Sequence, residues 1–113
     1  MLVSFSITWL NVIYNMENNN LDTKLNSFLN KMIPIKYPEI NHIVVKGKKN
    51  SDGNFEYNIS VNPTFDGIYK LKNNPKFPKE LFEYIYDTSD FAFKMFKSNT
   101  VGHYINNVTW FWD

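Results

Sequence analysis

Glu80, Glu83, Asp87 and Asp90 follow one another at intervals of three and four, and Lys94 and Lys97 continue the same interval. On an α-helix this spacing brings all six side chains onto one face. Lys79 is the only other charged residue between Pro78 and Ser98. Such a row of carboxylates can ligate a cation or meet a basic surface, where complementary charge speeds encounter and fixes register. It also resembles a row of phosphates in its charge. Asp87 and Asp90 lie one helical turn apart, but the chain has no cysteine, no His-x-x-x-His and no acidic loop with calcium spacing, so no metal site is expected. Recognition of a basic partner is the chemical use that remains, with Glu80, Glu83, Asp87 and Asp90 as contact residues and Tyr84 and Tyr86 as flanking aromatic anchors. The competing reading is purely local. Acids toward the N-terminal end and lysines toward the C-terminal end suit the helix dipole, and Glu80 and Glu83 would each stabilise the helix start by about 0.3–1 kcal/mol on an otherwise solvated face.

His42 and His103 are the only histidines. Neither has an acid and a nucleophile at recognisable spacing, so ordinary structural histidines are expected and no catalytic residue is assigned. The sharper alternative is a ribonuclease-like site with two histidines and a lysine. Gly47, Gly53, Gly67 and Gly102 stand singly, without the clustered spacing that cradles phosphates, and no cofactor is expected. Lys46, Lys48 and Lys49 form a basic cluster, which reads as a solvated turn before it reads as a phosphate contact.

Composition narrows the classes further. The 113 residues suit a single domain, and a hydrophobic content of 43% with 18% aromatics can build one core. All basic residues are lysine, there is no glutamine, alanine occurs only at Ala92, and asparagine occurs 17 times. That bias fits an AT-rich gene. Without arginine, bidentate recognition of phosphate or guanine has no donor, and a net charge of +1 offers no field toward nucleic acid or an anionic membrane. The apolar run Met1–Tyr14 lacks a basic flank and a cleavage site and is broken by Ser4, Ser6, Thr8 and Asn11, so neither a signal peptide nor a membrane span is expected. Together with the lack of cysteine this suggests the cytoplasm.

The elements that must position these residues follow from periodicity. Val3, Phe5, Ile7 and Trp9 alternate with Ser4, Ser6 and Thr8, which predicts a strand over residues 2–10, with a helix capped at Ser6 or Thr8 as the alternative. Leu21, Leu25, Phe28, Leu29 and Met32 predict a helix that Pro34 stops. A strand over residues 42–48 leads into the turn Asn50-Ser51-Asp52-Gly53, and Phe55, Tyr57, Ile59 and Val61 alternate with Asn54, Glu56, Asn58 and Ser60 on the return. Residues 62–78, with Pro63, Gly67, Asn73, Asn74, Pro75 and Pro78, predict a long loop with a short strand at residues 68–71. The charged stripe then rides on a helix whose other side is Leu81, Ile85, Thr88, Ala92 and Met95. A last strand, residues 103–112, sets Tyr104, Val108, Trp110 and Trp112 on one side and Ile105 and Phe111 on the other.

This order, β-α-β-β-α-β, predicts an α+β two-layer sandwich of the ferredoxin-like, split βαβ kind, with an antiparallel sheet and both helices on one face. A helix-first α+β domain with a three-stranded sheet is the alternative. The expected function is a small binding protein that masks a basic surface on another protein, such as a toxin, in the manner of bacterial immunity proteins, antitoxins or phage inhibitors. Two alternatives stand beside it: a metal-independent nuclease or hydrolase using His42 or His103 with Glu56 or a lysine, and an RNA-binding split βαβ module.

Overall fold

A computed structural model gives the fold of residues 21–96 and 102–112, the residues described here. The strand expected over residues 2–10 lies outside them. Helix α1 covers residues 21–36. It is followed by strands β1 (Ile40–Lys49) and β2 (Phe55–Pro63), helices α2 (Phe65–Asn73) and α3 (Lys76–Phe96), and strand β3 (His103–Trp110). The result is an α+β fold of three helices and a three-stranded mixed sheet in the order β1-β2-β3, with β1 antiparallel and β3 parallel to β2.

The sheet of the described residues differs from the split βαβ expectation in two ways. It is mixed rather than antiparallel, and its last strand pairs directly with β2, where a split βαβ sheet seats its first strand. The described residues contribute three strands to the sheet, and the helix-first alternative turns on the first segment, which lies outside them. The connection from β2 to β3 runs through α2 and α3, as a parallel pair requires.

Alternation along β1 and β2 sets the core. Ile43, Val45, Tyr57, Ile59 and Val61 share one sheet face with Val108, and Leu21, Leu25, Leu29 and Ile33 of α1 and Phe77, Leu81, Ile85, Ala92 and Phe93 of α3 bury against them. On the opposite face Glu56, Asn58 and Ser60 are half-buried beside Lys46 and Lys48. The hairpin forms where Asp-Gly predicted it: Gly53 takes φ 84°, and the Asn50 side chain accepts from the Asp52 and Asn54 amides.

Four local expectations are corrected. Helix α1 continues past Pro34 to residue 36, because Ile33 is fully buried and the Tyr37 amide still reaches the Ile33 carbonyl. Proline there removes one helix hydrogen bond, the N–H that would have met the Asn30 carbonyl, and only the last turn follows it. Residues 65–73 are helical rather than loop or strand. Thr64 caps α2 by accepting from the Gly67 amide, and its own amide and hydroxyl donate to the Glu39 carbonyl. Gly67 is buried against that same carbonyl, which a Cβ at this position would run into. In α3, Ser89 and Phe93 are buried where Thr88 and Met95 were expected. In β3, the register shifts at Asn106, so Ile105 and Val108 face the core together and Tyr104 faces outward.

Candidate functional site

Helix α3 is held along one side by Phe77, Leu81, Ile85, Ser89, Ala92 and Phe93. Glu83 and Asp87 lie two positions after the core residues Leu81 and Ile85, about 200° round the helix, and Glu80 and Asp90 fall on the same side, away from the sheet. Glu80, Glu83, Asp87 and Asp90 are accordingly all exposed. Lys94 pairs with Asp90 at 3.1 Å in water, and among the described residues Glu80, Glu83 and Asp87 have no ion-pair partner. Lys97 lies outside the described residues.

The helix starts earlier than the stripe suggests. Asn74 turns the chain into it, its side chain accepting from the Lys76 amide at 3.1 Å, and the first turn carries no acid. Lys76 and Lys79 occupy that turn instead. The dipole effect fades within one turn, so helix electrostatics does not account for acids that begin at Glu80.

The two tyrosines expected as anchors part ways. Tyr84 is half-buried, with its ring 5.5 Å from that of Tyr37 and the Lys36 ammonium 4.2 Å above it, so it is occupied within the fold. Partial burial, followed by the negative charge of Glu80, pushes the Tyr37 phenol above its ordinary pKa. Tyr86 is exposed and faces β3 instead. Together with Asp90 and Phe93 it lines a hollow of about 190 Å³ closed by His103, Tyr104 and Ile105.

The histidines do not form one site. His42 pairs with Asn62 and His103 with Phe55, at opposite ends of β2, which separates them by roughly 20 Å. His42 meets the ring of Phe111 edge-on at 5.4 Å. His103 stacks on Phe55 at 4.8 Å, and its Nδ1 lies 2.7 Å from the hydroxyl of buried Tyr57. Glu56 points from the other sheet face, where it accepts from Tyr104 and faces Lys48 at 4.0 Å. No group of three acidic or histidine side chains among the described residues converges as metal ligands, and no helix among them is long and apolar enough to cross a membrane.

Sequence reasoning missed two features. One is the hollow, which depends on β3 lying beside α3. The other is a cleft of about 450 Å³ between β2, α2 and the chain end, with Asn41 and Asn62 beneath Phe65 and Trp112, which are 92% and 57% exposed. An aromatic directly after a capping threonine was the only available signal for it.

No known protein family, curated protein or solved structure matches this chain.

Proposed function

We propose that this chain is a small binding protein that masks a basic surface on another protein, with the outer face of α3 as its contact surface. The class is that of immunity proteins, antitoxins and phage inhibitors, acting in the cytoplasm on a partner such as a toxin. One observation carries the reading. Glu80, Glu83 and Asp87 stand exposed and without ion-pair partners among the described residues, beyond the turn in which the helix dipole would reward them. A row fixed on a helix that is packed along its whole length is preorganised, so little ordering cost is left for binding. Its rigid spacing would present negative charge as a nucleic-acid backbone does.

The alternatives draw less support. A site using both histidines conflicts with their separation by the length of β2, and for one histidine with Glu56, His103 lies with Phe55 and Tyr57 on the sheet face opposite Glu56. RNA reading by a sheet needs exposed aromatics across its outer face, and here Tyr104 stands among Lys46, Lys48, Glu56, Asn58 and Ser60.

The test is affinity capture from the native host with the wild-type chain and with Glu83→Lys/Asp87→Lys. The proposal expects a protein with a basic surface to be retained by the wild type, released by salt, and lost from the reversed variant. Equal capture by both forms would refute the assignment to α3.

A further inference from the structure

At the end of the carboxylate row, Tyr86, Asp90 and Phe93 of α3 face Tyr104, Ile105 and His103 of β3 across the hollow of about 190 Å³. Its volume lies below the roughly 300–1,000 Å³ typical of sites that enclose a cofactor or drug-sized ligand, so it suits a single side chain. Its lining specifies which kind. The rings of Tyr86 and Phe93 attract a cation through their electron-rich faces, Asp90 supplies a full negative charge at the rim, and Ile105 offers apolar surface to an alkyl stem.

We infer that this hollow receives one cationic side chain, lysine or arginine, from the basic partner. The inference rests on the proposed masking role for the identity of that partner, and on the hollow alone for its chemistry. Several contacts hold the walls in place beforehand. The Tyr104 hydroxyl accepts from Asn50 Nδ2 at 3.0 Å and donates to Glu56 Oε1 at 3.2 Å. The Phe93 ring rests 5.0 Å from that of Tyr57, whose hydroxyl also meets His103. The resident cation at Asp90 is Lys94, and both members of that pair are exposed. Exposed pairs of this kind contribute little, so an incoming cation displaces Lys94 at small cost. The hollow thereby gives the carboxylate row a fixed end, setting the register in which a partner's charges meet Asp87 and Glu83.

The test is an NMR titration of the whole chain at about pH 8, above the ordinary histidine range, with n-butylammonium, n-butylguanidinium and the neutral isostere n-butanol. Saturable shifts centred on Tyr86, Asp90 and Tyr104 are expected for at least one cation, with butanol roughly tenfold weaker or absent. The stronger cation identifies lysine or arginine as the natural guest. Asp90→Asn is expected to weaken the cation roughly tenfold and leave butanol unchanged, and Tyr86→Ala to abolish the shifts at Tyr104 while circular dichroism stays native. Equal response to butanol, or cation shifts confined to Glu83 and Asp87, overturns the inference. Because no partner protein is used, such a failure removes the hollow and leaves the masking role standing. Loss of the masking role with the titration intact would leave a site for a different cation.

Discussion

Helices α1 and α3 both carry a polar row at helical spacing, yet the two rows have opposite fates. In α1 the row is Asp22, Asn26 and Asn30, each one position after a core leucine, or about 100° round the helix. It turns toward the edge of the sheet. Asn30 grips Ile43 of β1 with both ends of its amide, donating to the carbonyl at 2.7 Å and accepting from the N–H at 2.8 Å. Asn26 accepts from the Val45 amide at 2.8 Å, and Asp22 from the Gly47 amide at 3.4 Å. Among the described residues β1 has no strand on this side, and the three side chains take up the hydrogen bonds of its edge. In α3 the row lies on the side of the helix opposite the core and meets water. A polar stripe at helical spacing therefore says nothing by itself about exposure; its angle from the core residues decides.

The comparison can be broken at its base. Leu29→Ala and Leu81→Ala both remove side chains of zero exposure, one from each helix, and each should cost about 2–5 kcal/mol in urea unfolding. A much smaller loss at one of them would mean that its helix is not an equal wall of the core. Next comes the edge. Asn30→Ala strips partners from the Ile43 N–H and carbonyl and should cost about 1–3 kcal/mol, with faster hydrogen exchange at Ile43. If Ile43 exchange is unaltered, the edge is covered by something other than α1.

A third effect concerns pH. Burial, and after it the charge of Asp22, raises the Tyr57 phenol above its ordinary pKa. A raised value in the folded state means that stability is fully present below about pH 10 and is lost as pH climbs beyond it. Tyr57→Phe should flatten part of that alkaline decline, and Asp22→Asn should flatten it less, as measured by thermal unfolding across alkaline pH. Tyr37 contributes a similar decline through its own burial and Glu80. The smallest effect belongs to the outward row. Glu83→Lys/Asp87→Lys should change unfolding free energy by no more than about 0.5 kcal/mol, because both residues are exposed and neither has an ion-pair partner among the described residues.

What the chain's letters revealed follows the same geometry. Period-two alternation in β2, the Asp-Gly turn and the stripe of α3 were legible because each pattern is local. The α1 row was not, because Asn26 and Asn30 were submerged in an asparagine-rich composition that reads as genomic bias. Their placement after Leu25 and Leu29 was the usable signal. Helix α2 was hidden because Pro63 and Gly67 look like loop punctuation, and only contact with the distant Glu39 carbonyl explains the glycine. The faces of β3 were misassigned because a bulge at Asn106 inverts the alternation. At the candidate site, the exposure of the four carboxylates was readable. The division of labour between Tyr84 and Tyr86 was not, since it depends on Lys36 and Tyr37 on one side and on β3 on the other.

The account turns on whether the outward row is a contact surface. The most direct measurement is the affinity of the purified captured partner for the wild-type chain and for Glu83→Lys/Asp87→Lys, at low and high salt. The account predicts a loss of roughly tenfold or more on reversal at low salt, a gap that narrows as salt rises, and an unchanged unfolding midpoint. Equal affinity of the two forms at low salt would contradict it.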